Sequence, residues 1–120
     1  MPQNFLKNII RFTIKHKTGI LLSKKKYKKV IDEQFIVPYD KGFGIIKFEA
    51  WEHQDKIVKY NMAYINKNIF PNDNGSVIGY DNSHNFHHKH YFGEIAEIDD
   101  FINYQELVQR FKNDIKEFVK

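Results

Sequence analysis

The sequence predicts an α+β fold, a meandering antiparallel β-sheet with a C-terminal amphipathic α-helix packed on one face. Three observations predict it. Apolar residues in the middle of the chain alternate with period two, polar turn signals separate those segments, and the last 18 residues switch to three- and four-residue spacing.

The first segment, NFLKNIIRFTI, reads as a short helix through Phe5, Leu6, Ile9 and Ile10, or as a strand through Ile10, Phe12 and Ile14. Both readings stay open. ILLSKKKYKKVI follows a glycine and reads as a lysine-faced strand, with Lys24, Lys26 and Lys28 on one side if it is regular. PYDKGFG, residues 38–44, supplies a proline, an aspartate and two glycines for a turn. In GIIKFEAWEH, Ile46, Phe48 and Ala50 point one way while Lys47, Glu49 and Trp51 point the other. HQDK, residues 53–56, is short enough to close a hairpin onto KIVKYNMAYIN, where Val58, Tyr60, Met62 and Tyr64 share a face.

NKNIFPNDNG, residues 66–75, is a turn-rich loop leading to a short strand, SVIGY. GYDNSHNFHHKHYFGE, residues 79–94, then reads as a strand-to-strand connection, and HYFGEIAEI, residues 90–98, resumes an extended pattern before an acidic turn at Asp99 and Asp100. At the C-terminus Asn103 can cap a helix, with Glu106 placed as in a capping box. Tyr104, Leu107, Val108, Phe111, Ile115, Phe118 and Val119 form its apolar stripe, and Gln109, Lys112, Asn113 and Lys116 its solvated side.

A chain of 120 residues with 42% hydrophobic content builds one ordinary core, so a single domain over 1–120 is expected. The absence of cysteine excludes disulfides and thiolate ligands and suits a reducing compartment. Apolar runs do not exceed four residues and no signal core opens the chain, so a cytoplasmic protein without a membrane partner is expected.

The net charge of +4 is modest, but its distribution is uneven: residues 15–29 are crowded with lysine, whereas EIAEIDD, residues 94–100, carries four acids and no base. A lysine-bearing edge strand resists sheet-to-sheet aggregation, and the same stripe suits phosphate contact. Lys24, Lys26 and Lys28 are therefore candidate nucleic-acid contacts. The 11 Phe, 7 Tyr and single Trp belong chiefly to the core, with Trp51 a candidate base-stacking residue as well as a core or rim residue.

Four of the six histidines fall within residues 84–90. His88 and His90, two apart, leave the same side of a strand, while His84 and His87 sit in the turn and can swing toward them, with Asp81 or Glu94 to add oxygen. That pattern matches no zinc spacing and no HExxH helix, so a physiological metal is disfavoured, although such a cluster also captures nickel or zinc adventitiously. Acid–base chemistry needs less. Two imidazoles beside Lys89 supply base, acid and charge stabilisation for cleaving a phosphodiester without metal or other cofactor, with Asp81 or Tyr80 orienting an imidazole. The plain alternative packs Tyr80, Phe86, Tyr91 and Phe92 in the core, makes a turn of Asp81 and Asn82, and leaves the histidines in solvent.

The segments FEAWEH, KYNMAYI, GYDNSHNFHHKHYFGE and the final helix together resemble the TumE family of toxins from type II toxin–antitoxin systems, from about Thr18 to the end of the chain. The resemblance implies a small intracellular toxin neutralised by a cognate antitoxin with a helix-turn-helix domain. It marks residues 1–17 as an N-terminal extension and Tyr80, Asp81, Asn82, His84, His87, His88 and His90 as the motif positions. The residues add an expectation of metal-independent endoribonuclease activity on RNA, with His88 and His90 as base and acid. A non-catalytic module binding nucleic acid or a partner, and a metal-dependent hydrolase, are the alternatives. A homodimer is kept among the expected assemblies.

Overall fold

The computed structural model describes residues 18–22 and 25–120, with side chains from residue 27 onward. Seven antiparallel strands form one sheet in chain order: β1 (Thr18–Leu22), β2 (Lys25–Val37), β3 (Gly44–His53), β4 (Lys56–Ile65), β5 (Ser76–Asp81), β6 (His88–Tyr91) and β7 (Glu94–Glu97). One helix, α1 (Tyr104–Ile115), lies against β4 and β5. The meander and the C-terminal helix are those the alternation and the helical spacing predict.

Period two sets the faces. Along β3, Ile46, Phe48 and Ala50 are fully buried while Lys47, Glu49 and Trp51 stand on the opposite side. On β4 the same parity buries Tyr60, Met62 and Tyr64. Helix α1 covers this apolar face with Leu107, Val108, Phe111 and Ile115, and the Phe111 ring meets Phe48 edge-on at 5.5 Å. Burying each such side chain contributes roughly 1.5–3 kcal/mol. Among the described residues, no α-helix lies on the other face.

Local chemistry fixes the joints. The hairpin between β3 and β4 turns on Gln54 and Asp55, both with positive φ. Asn103 accepts the Glu106 backbone N–H at 2.8 Å, a helix N-cap, while the Glu106 carboxylate receives Arg110 Nε. Gly42 adopts a φ of 125°, and a Cβ there would stand 2.1 Å from the Phe118 carbonyl oxygen, so the turn after β2 seats against the C-terminal segment only with glycine.

Four boundaries differ from the sequence expectation. ILLSKKKYKKVI is not one strand: β1 ends at Leu22 and pairs back onto β2, Thr18 opposite Lys29 and Leu22 opposite Lys25. HYFGEIAEI is likewise two strands, because Phe92 and Gly93 take positive φ and fold β7 onto β6. The connection within the histidine stretch is shorter than expected, since His88 already belongs to β6. Helix α1 stops at Ile115; Phe118 and Val119 follow in a turn that still buries Val119 and lets Lys120 N–H donate to the Lys41 carbonyl. The alternative readings of NFLKNIIRFTI, and the extension over residues 1–17, lie outside the described residues.

Candidate functional site

Strand register divides the candidate residues between the two faces of the sheet. Asp81 pairs with His88, Gly79 with His90 and Tyr80 with Lys89 across β5 and β6. Cross-strand partners share a face and neighbours alternate, so Asp81, His88 and His90 project from the helix-free side while Tyr80 and Lys89 project toward α1.

Asp81 is the hub of the first group. Its Oδ1 accepts from His88 Nε2 at 2.7 Å, from Ser83 Oγ at 2.8 Å and from the Ser83 backbone N–H at 3.0 Å, and its Oδ2 accepts from His90 Nε2 at 2.9 Å. Burial alone would raise its pKa, but the two Ser83 hydrogen bonds and the neighbouring His88 and His90 outweigh it and hold the carboxyl below its ordinary range.

The two histidines differ in what they can offer. His88 is 3% exposed, lies under the Phe86 ring and directs Nδ1 at the Phe86 carbonyl, 3.1 Å away. A carbonyl and a carboxylate only accept, so each ring nitrogen of His88 faces an acceptor. It is a buried brace. His90 is partly exposed, and with Nε2–H donated to Asp81 its Nδ1 lone pair is left for an incoming group.

His90 and Asp81 border a depression of about 240 Å³ with Lys47, Asn61 and Asn74. A second depression, about 300 Å³, lies on the other side of Asn61 and Asp81, lined by Glu49, Trp51, Lys59 and Ser83. The two share Asn61 and Asp81, and together they make a trough along the sheet face opposite α1. In it, Lys29 Nζ reaches Glu49 Oε2 at 2.7 Å, Asn61 donates to Glu49 at 3.3 Å, and the ammoniums of Lys29 and Lys59 stand 5.0 and 4.7 Å from the Trp51 ring. Lys59 has no carboxylate partner among the described residues.

Tyr80, Asn82 and His87 make contacts within the fold. The Tyr80 hydroxyl donates to Asp114 Oδ2 on α1, and Lys89 Nζ lies 3.3 Å from that same oxygen, so the pair ties helix to sheet. Burial, and then the Asp114 carboxylate, push the Tyr80 phenol far up, which keeps it a donor. Asn82 accepts the Tyr60 backbone N–H at 3.0 Å and donates to the Val58 carbonyl at 2.9 Å, extending the β4–β5 ladder with a side chain. His87 stacks on Phe101 at 3.6 Å and bonds the Tyr60 hydroxyl at 2.7 Å. Burial first, and then His88, lower its pKa. His84 is exposed at the turn, with a φ of 61°.

Of the lysine stripe, Lys24 and the Lys26 side chain lie outside the described residues, and Lys28 is exposed opposite Glu52. The β2 lysine beside Trp51 is Lys29, brought there by the ladder pairing of those two residues. Sequence reasoning did not single out Lys29, Lys47, Glu49, Lys59, Asn61 or Ser83 for the site. The signal for Lys59 and Asn61 was available: carrying the Lys47–Glu49–Trp51 face one strand further reaches both.

Among the described residues, Asp81, His88 and His90 form a group able to hold a metal, their donor atoms all lying within 4.8 Å of one another. Among the described residues no helix is long and apolar enough to cross a membrane. A family model described as Toxin TumE matches residues 24–119, which includes every residue of the trough. No curated protein and no solved structure matches the chain.

Proposed function

The chain belongs to the TumE toxin family, and from that premise we propose that it acts on RNA as an endoribonuclease at the helix-free face of its sheet. The observation that carries this reading is the Asp81 carboxylate shared between His88 and His90 at the floor of a lysine-bordered trough. Asp81 orients His90 so that Nδ1 takes the proton of a ribose 2′-hydroxyl. The 2′-oxygen then attacks phosphorus, the bond to the 5′-oxygen breaks, and that oxygen takes a proton from water. Lys47 and Lys59 offset the phosphate charge, and Trp51 offers a face for an unpaired base. The toxin's partner is a cognate antitoxin with a helix-turn-helix domain that neutralises it by direct binding.

General-base catalysis contributes about 10²–10⁴-fold, so His90→Ala should lower RNA cleavage by about that factor with the circular dichroism spectrum unchanged. Equal cleavage by the variant removes His90 from the reaction. Salt-sensitive RNA binding without fragments, from wild-type protein, replaces the nuclease with a binding module.

A further inference from the structure

We infer that the Asp81–His88–His90 cluster is a transition-metal site, and that a metal bound there silences the toxin. The inference rests on the reading of His90 as the base.

The donor set is two imidazole nitrogens and one carboxylate, the ligand chemistry of zinc and its divalent neighbours. Both His88 and His90 present Nε2 to the same carboxylate, and the three donors lie within 4.8 Å. Donors around a tetrahedral zinc stand about 3.3 Å apart, a closure within reach of side-chain rotation. The supporting contacts suit a ligand set as well. His88 Nδ1 is anchored on the Phe86 carbonyl, which fixes the tautomer that directs Nε2 at the cluster, and Ser83 steadies Asp81 through two hydrogen bonds. His88 is itself buried, with Nδ1 at the Phe86 carbonyl and Nε2 at Asp81, so its ring is already held in the orientation a ligand needs.

The consequence for activity follows from the tautomer of His90. Without metal, Nε2 carries the hydrogen donated to Asp81 and Nδ1 keeps its lone pair. A neutral imidazole that binds metal through Nε2 carries its hydrogen on Nδ1 and can no longer accept one there. Metal binding and general-base action at His90 therefore exclude each other.

The test is equilibrium dialysis of the full chain against micromolar zinc with elemental analysis, run beside RNA cleavage at the same zinc concentrations. One zinc per chain is expected, with affinity at least tenfold weaker in Asp81→Asn and His90→Gln, each checked for its fold by circular dichroism. Wild-type cleavage should fall as occupancy rises and return with EDTA. Substoichiometric zinc, or equal binding by Asp81→Asn, overturns the site. Cleavage that rises with zinc overturns the inhibitory role and the metal-free base together. If no preparation cleaves RNA, dialysis alone decides the site, while the nuclease reading and the silencing fall.

Discussion

At the residue scale, adjacent motif positions do different work. Asp81 gathers imidazoles, whereas Asn82 mends a ladder and Tyr80 holds a helix. The trough has a second charged centre in Glu49. Burial alone would raise its pKa, but hydrogen bonds from Lys29 and Asn61 and the nearby ammoniums outweigh it, so the net shift is downward. A carboxyl depressed in the folded state adds stability above its unfolded pKa and loses it as pH falls through the folded value. Glu49→Gln lacks that contribution at any pH, so its urea midpoint should fall less than wild type's between about pH 5 and about pH 3. Parallel acid limbs for the two proteins would show that Glu49 carries no such linkage. Of the site, the sequence made legible that His88 and His90 share a side, because residues two apart on a strand share parity. The same parity turns Lys89 to the opposite side; what the sequence did not show is its partner Asp114, which follows from the face α1 covers.

At the scale of elements, alternation in GIIKFEAWEH and KIVKYNMAYIN marked β3 and β4 because one face of each is buried against α1. The break between β1 and β2 was not legible, because the sequence between Leu22 and Lys25 carries no glycine, proline, asparagine or aspartate to mark a turn. The end of α1 was hidden for the opposite reason. Phe118 and Val119 keep the helical spacing, yet they are apolar because they pack beside the Pro38–Gly44 turn and the Tyr64 ring, not because the helix continues. That docking depends on Gly42, where positive φ and the nearby Phe118 carbonyl both exclude a side chain. Gly42→Ala should therefore destabilise the protein by more than about 1 kcal/mol in denaturant unfolding. A variant as stable as wild type would mean that the C-terminal turn yields without cost.

For the whole molecule, the sheet separates tasks by face: α1 and the aromatic core lie on one side, and the trough with its lysines on the other. If RNA lies along the trough, Lys47 and Lys59 each displace a counterion. The double variant Lys47→Ala/Lys59→Ala should flatten the salt dependence of RNA binding by about 0.7 per lysine on logarithmic axes, and an unchanged slope would place the RNA elsewhere. The pairing of β5 with β6 has one more effect. A slip of one residue would send Lys89 into the trough and both imidazoles under the helix, so the proposed site exists in a single alignment of two short strands. On the reading proposed above, a nascent or partly unfolded chain lacks the site, which is assembled only once β5 and β6 have paired.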